Sequence, residues 1–167
     1  AAVVFVGTET GQEKSYNFGE LKTEVQAMAA ILQDMGVKKG DRVLIYMPMI
    51  AEALFAMLAC ARIGAIHSVV FGGFASGSLA SRIDDAAPRV VITADAGSRG
   101  GKVVPYTPLL KEAVSLSKSK PDGILIVNRE LSAIDLGALR AVDYGAARQK
   151  HLNSQVPCVH LDSTDVS

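Results

Sequence analysis

The densest apolar pattern in the chain runs from Arg42 to Phe74. Val43 to Met47 is a continuous apolar run, and Pro48 breaks it. Apolar residues then recur at Ile50, Ala53, Leu54, Met57, Leu58 and Ala61, the spacing of one helix face. Phe55, Ala56, Ala59 and Cys60 make the other faces apolar too, so this helix is predicted to be deeply buried. Gly64 ends it. A second apolar run, His67 to Phe71, stops at Gly72-Gly73. Strand, helix and strand in that order predict a crossover unit with parallel neighbouring strands.

The flanking segments extend the pattern. Val3 to Val6 reads as a short strand and Gly7-Thr8-Glu9-Thr10-Gly11 as a turn. Asn17, with Glu20 three residues on, forms a variant capping box and starts a helix. Leu21, Val25, Met28, Leu32 and Met35 form its apolar stripe; Lys22, Glu24, Gln26, Gln33 and Asp34 are predicted to face water, and Gly36 to end it. A helix follows over about residues 76 to 85, with Ser76 as N-cap, and Pro88 stops its extension. Val90 to Thr93 is another apolar strand and Ala94 to Val104 a loop. Thr107 as cap and Pro108 as first helical residue start a helix reaching about Lys118. Ile124 to Val127 is a strand, and Leu136 to Lys150 reads as a helix weakened by Gly137 and Gly145.

Strands apolar on both faces, alternating with helices, imply an α/β fold: an open, mostly parallel sheet with helices on both faces. Ligands of such sheets lie beyond the carboxyl ends of the strands. Two segments fall there, Phe71-Gly72-Gly73-Phe74 and Ala94 to Lys102.

Composition narrows the function classes. The 167 residues carry 17 Lys plus Arg and 17 Asp plus Glu. A zero net charge offers no nucleic-acid footprint. Glu52 and Arg62 interrupt the apolar stretch, and the uncharged window from Ile63 to Ser81 is rich in Gly, Ser and Ala. A membrane span needs about 20 predominantly apolar residues. Cys60 and Cys158 suggest no disulfide framework, and a reducing cytoplasm is the simpler expectation. His67, His151 and His160 have no partners at metal-ligand spacing. Without an initiating Met or a signal peptide, and with HLDSTDVS at the end, the chain is expected to be a piece of a longer polypeptide.

Candidate chemistry is sparse. Arg99 and Lys102 flank Gly100-Gly101, and two cations around a close-approaching backbone suit a phosphate; a solvated surface loop is the alternative. Phe71 with Gly72 and Gly73 offers a ring and an open backbone to a flat ligand, or simply a sharp turn that needs positive φ. His67 reads as a satisfied core histidine, Asp84-Asp85 as a solvated pair, and Cys60 as a small buried apolar residue. Neither a dinucleotide fingerprint nor a Walker-type loop is present.

The run MPMIAEALFAMLACARIGAIHSVVFGGF, followed by ITADAGSRGGKVVPY, closely resembles the N-terminal domain of short-chain acyl-CoA synthetases of the adenylate-forming superfamily. The likeness covers about Tyr16 to Val127 and is weaker beyond. ADAGSRGGKVVPYTPLL looks more like the propionate branch than the acetate branch. The resemblance implies that residues 1–167 are part of the large N-terminal adenylation domain, without the C-terminal domain. It implies a ligase that uses ATP with Mg, coenzyme A and a short carboxylate, by way of an acyl-adenylate. It places Phe71, Gly72 and Gly73 beside the adenine and ribose of coenzyme A, and Arg99, Gly100, Gly101 and Lys102 at its phosphates. Acetate-type relatives tend to carry Arg at the position of Lys102, so that contact loses the bidentate fork. No residue here is assigned to catalysis, because the phosphate loop of type TSGTTGKPKG is absent. The chain alone is therefore expected to be inactive, with the rest of its own polypeptide as a partner. An acetate–CoA ligase fragment, or a non-catalytic α/β nucleotide- or partner-binding module, is the alternative.

Overall fold

The computed structural model describes residues 1–7 and 11–165; residues 8–10 of the expected first turn lie outside that description. The chain opens with strands β1 (Val3–Gly7) and β2 (Gln12–Tyr16), an antiparallel pair. Helix α1 (Phe18–Asp34) leads to β3 (Arg42–Met47), α2 (Ala51–Ile63), β4 (Ile66–Phe71), α3 (Ser76–Ala86) and β5 (Val90–Ala94). A hairpin of β6 (Ala96–Arg99) and β7 (Lys102–Pro105) follows, then α4 (Tyr106–Leu116) and β8 (Gly123–Val127). The last elements are α5 (Leu136–Leu139), β9 (Ala141–Asp143) and α6 (Tyr144–His151).

Five of these strands form one sheet in the order β4-β3-β5-β8-β9, with every pairing parallel. The apolar runs of β3, β5 and β8 explain the arrangement, since only strands covered on both faces tolerate such sequences. Val43 to Tyr46 and Val90 to Ile92 are fully buried. Helices α1, α2 and α6 pack together as one layer, and α3 packs on α4 as the other. The chain steps from β3 outward to β4, then back across to β5. That reversal makes a switch point at the carboxyl ends of β3 and β5, where open α/β sheets bind ligands.

Local signals act as read at several places. The Asn17 Oδ1 accepts from the Glu20 N–H at 2.9 Å, and Glu20 Oε2 accepts from the Asn17 N–H at 2.8 Å. Gly36 ends α1 at φ 86°; its N–H bonds Gln33 O, while the Val37 N–H reaches back to Leu32 O at 2.9 Å. Gly64 ends α2 in the left-handed conformation. Both cysteines are free, and burial pushes the Cys60 thiol up to about 12.

Elsewhere tertiary partners override the pattern. Glu24 and Gln26 are buried rather than facing water. The Arg148 guanidinium donates to both Glu24 oxygens, one at 2.6 Å, and the Val156 N–H donates to Gln26 Oε1 at 3.2 Å. Those partners come from α6 and from the segment after it, which runs back over α1 and α2. The expected helix over 136–150 is instead α5, β9 and α6. Arg140 takes φ 50° between α5 and β9, Asp143 caps α6 by accepting from the Ala146 N–H, and β8 supplies β9 with backbone partners. Ser76 is not an N-cap but the first helical residue of α3, after Ala75. Thr107 and Pro108 likewise lie inside α4, whose cap position is Pro105; a proline in the first turn leaves no hydrogen bond unmade. Asp84 is not merely solvated: its Oδ1 accepts from the Lys118 and Ser119 N–H groups at 2.7 and 2.8 Å. His67 is half-buried on the edge strand and its ring makes no hydrogen bond among the described residues, so it is not a satisfied core histidine.

Candidate site at the carboxyl edge of the sheet

A cavity of about 270 Å³ lies at the switch point. It is lined from four directions: Pro48 and Met49 after β3, Phe71 to Gly73 at the end of β4, Arg99 in the hairpin after β5, and Arg129 after β8. Phe5 and Val6 of β1 close one wall. The two segments singled out in the sequence thus meet around one space.

The supposed loop over 94–104 is a hairpin. Gly100 and Gly101 have φ 59° and 76°, the two positive values that a two-residue type I′ turn requires. The glycines therefore serve the turn. Arg99 and Lys102 are direct cross-strand partners at its tip, both exposed and neither ion-paired among the described residues. Like charges placed opposite each other repel, and an anion between them relieves that repulsion. Arg99 borders the cavity; Gly100, Gly101 and Lys102 stand beyond its lining.

The hairpin is mounted on a buried carboxylate. Asp95 follows β5 directly and is fully buried. Its Oδ1 accepts from the Arg129 N–H at 3.1 Å, and its Oδ2 from Leu131 and Ser132 at 2.7 and 3.0 Å. The Asp95 backbone receives the Tyr106 N–H at 2.9 Å and donates to Val127 O at 3.0 Å. Arg129 also donates to Ala96 O at 3.1 Å. One residue therefore fixes the hairpin base, the start of α4 and the loop after β8. The sequence reading missed Asp95; the available signal was a lone acid directly after a wholly apolar strand.

The Phe71 turn is held by two tyrosines. Tyr46 donates its hydroxyl to Phe74 O at 3.2 Å and receives the Gly73 N–H at 3.3 Å. Burial raises the Tyr46 pKa, against the lowering effect of the Gly73 bond, so the hydroxyl keeps its proton. Tyr106 packs on Tyr46 with ring centroids 5.0 Å apart. Its hydroxyl fills the space beside two glycines: a Cβ would come within 2.3 Å of it at Gly72 and 2.1 Å at Gly97. Gly72 thus makes room for Tyr106 rather than for a flat ligand. Gly73, at φ 94°, faces open space. Phe71 and Phe74 are exposed and meet edge to face at 6.5 Å.

The described residues contain no cluster of three or more His, Cys, Asp or Glu able to hold a metal. None of their helices is long and apolar enough to cross a membrane. The site offers an aromatic edge, an open backbone at Gly73 and a pair of unneutralised cations.

Comparison with known proteins gives this geometry a context. A family model described as AMP-binding enzyme matches residues 1–158. The propionate–CoA ligase of Escherichia coli (strain K12) is 50% identical over 166 residues, which cover 99% of this chain and 26% of that protein. The acetyl-coenzyme A synthetase of Bradyrhizobium diazoefficiens is 46% identical over 167 residues, covering 98% of this chain and 25% of that one. Among solved structures, the acetoacetyl-CoA synthetase from Streptomyces lividans superposes with a TM-score of 0.77 at 24% identity, over 91% of this chain and 22% of that one. That likeness carries the fold alone. The chain spans about a quarter of the length of the curated relatives it matches.

Proposed function

The chain belongs to the AMP-binding enzyme family, and on that premise we propose that it forms part of the coenzyme A nucleotide site of an ATP-dependent short-chain acyl-CoA ligase. The reaction is that of the first relative's name: propionate, ATP and coenzyme A give propionyl-CoA, AMP and diphosphate, through propionyl-adenylate. ATP enters with Mg as a substrate. Residues 1–167 belong to the N-terminal adenylation domain, and the piece alone forms no adenylate.

One observation carries the reading: the Phe71–Gly73 turn and Arg99 line one cavity at the switch point of the sheet. Phe71 and Gly73 lie beside the adenine and ribose, with Gly72 supporting the turn through its contact with Tyr106. Arg99 and Lys102 take the phosphates, presented by the Gly100-Gly101 turn. Arg99 offers two parallel N–H donors to phosphate oxygens and Lys102 a point charge.

The test uses the full gene product. Diphosphate release with ATP, Mg and propionate, followed by thioester formation when coenzyme A is added, is the expected result; a better rate with acetate moves the enzyme to the acetate branch. Arg99→Gln is expected to raise the KM for coenzyme A about tenfold, the loss of one charge-assisted contact, while carboxylate-dependent diphosphate release stays unchanged. Folded enzyme that adenylates no short acid overturns the ligase reading and leaves a binding module.

A further inference from the structure

The sheet does not join the Phe71 turn to the Arg99 hairpin. Strand β4, which ends in the turn, lies at the sheet edge, and β3 separates it from β5, from which the hairpin springs. The hairpin strands β6 and β7 pair with each other in a separate two-stranded sheet. The Asp95 anchor holds the hairpin to α4 and to the loop after β8. Strand pairing therefore leaves the separation of turn and hairpin unset among the described residues, and side chains have to set it.

Tyr106 stands between the two. It is the first residue of α4 and is buried, at 4% exposure. A Cβ at Gly72 would lie 2.3 Å from its hydroxyl oxygen, and one at Gly97 2.1 Å. Gly72 belongs to the turn and Gly97 to β6. Neither has a positive φ, so close approach, not backbone conformation, requires glycine at both places. One phenolic oxygen is thus wedged against the backbone of both parts. Its ring packs on Tyr46, which is fully buried and whose hydroxyl bonds the Gly73 N–H and Phe74 O. Tyr106 also lines the cavity together with Phe71, Gly73 and Arg99. In a close-packed interior a spacer of this kind passes its own length on to what it separates.

We propose that Tyr106 is a positioning residue: its hydroxyl sets the separation of turn and hairpin, and with it the fit of the cavity to a ligand that engages both at once. The proposal rests on the coenzyme A reading given above. On that reading the adenosine lies against the turn while the phosphates reach the hairpin, so coenzyme A has to span the gap. Pantetheine has the reacting thiol but neither adenine nor phosphate, and spans nothing. The spacer then acts on the nucleotide end of coenzyme A alone, by holding both halves of its site in register before it arrives.

Steady-state kinetics of the full gene product tests this, with coenzyme A and with pantetheine as acceptor thiols. Tyr106→Phe removes the spacer oxygen and keeps the ring on Tyr46. It is expected to raise the KM for coenzyme A about fivefold, with kcat and the kcat/KM for pantetheine within about twofold of the unaltered enzyme. The second readout is coupling to Arg99. An oxygen that acts by placing Arg99 against the turn has nothing left to place once that charge is gone. In an Arg99→Gln background, Tyr106→Phe is therefore expected to change the KM by less than about twofold. Effects that multiply independently overturn the proposal. So does a KM for coenzyme A that Arg99→Gln raises and Tyr106→Phe leaves unchanged; in both cases the coenzyme A reading stands. Equal losses with coenzyme A and pantetheine mean a general disturbance of the fold and also overturn it. A KM for coenzyme A that neither variant moves removes the coenzyme A reading, and this proposal with it.

Discussion

Strand β5 and the hairpin β6–β7 are joined by a single residue, Asp95, yet they are built on opposite terms. In β5 every side chain from Val90 to Ala94 is buried, and the position of each follows from packing. In the hairpin the tip side chains are exposed, and the form follows from backbone constraints: two positive-φ glycines at the turn and one buried carboxylate at the base. Packing leaves no side chain over for a ligand. Backbone constraint leaves Arg99 and Lys102 unneutralised at the end of a defined arm. A site can thus be held in place without consuming the groups that are to act in it.

That contrast is broken most severely at the mount. Asp95→Ala leaves three backbone N–H groups without their acceptor, and a loss of about 3 kcal/mol or more is expected in urea denaturation. Solvent reaching the loop after β8 reduces that figure; an effect below about 1 kcal/mol means the mount is dispensable. Next comes the wedge between β4 and the hairpin. Gly97→Ala drives a methyl against the Tyr106 hydroxyl, and overpacking of this kind costs about 1–3 kcal/mol. Tyr106→Phe in that background is expected to restore part of the loss, since the nearest of the clashing atoms is removed. A full loss that Phe does not relieve places the strain elsewhere. The smallest effect belongs to the tip. Gly101→Ala forces a left-handed alanine, about 1 kcal/mol, and the cost is expected to stay local, with the exchange protection of β5 unchanged. Protection of β5 that falls along with the tip means that arm and strand unfold together, and the contrast drawn above fails.

What was legible in the sequence divides along the same line. Val43 to Met47, Val90 to Thr93 and Ile124 to Val127 declare themselves, because strands buried on both faces need uninterrupted apolar runs. Asn17 and Glu20 declare a helix start through two short-range hydrogen bonds. Elements held by distant partners stayed hidden. Gln12–Tyr16 is polar in four of five positions and is a strand because β1 lies beside it. Ala141–Asp143 is a strand because β8 offers it a free edge. Glu24 reads as a solvent-facing charge until Arg148, 124 residues later, arrives to pair with it. Around the candidate cavity, Phe71, Gly73 and Arg99 were visible as an aromatic, a glycine and a cation next to strand ends. Asp95, Tyr46 and Tyr106 were not, since each acts through groups brought near only by the fold. Gly72 was visible for the wrong reason: its missing side chain accommodates an internal tyrosine.

The shared anchor at Asp95 has a consequence for recognition. Its two oxygens tie the hairpin that carries Arg99 to the loop that carries Arg129, and Arg129 returns a bond to Ala96. The two arms therefore share one backbone anchor. On the coenzyme A reading proposed above, the hairpin backbone that presents Arg99 is in place before an anion arrives, so little of the protein's conformational entropy remains to be lost on binding. An aspartate that touches no ligand would then lower the cost of recognition.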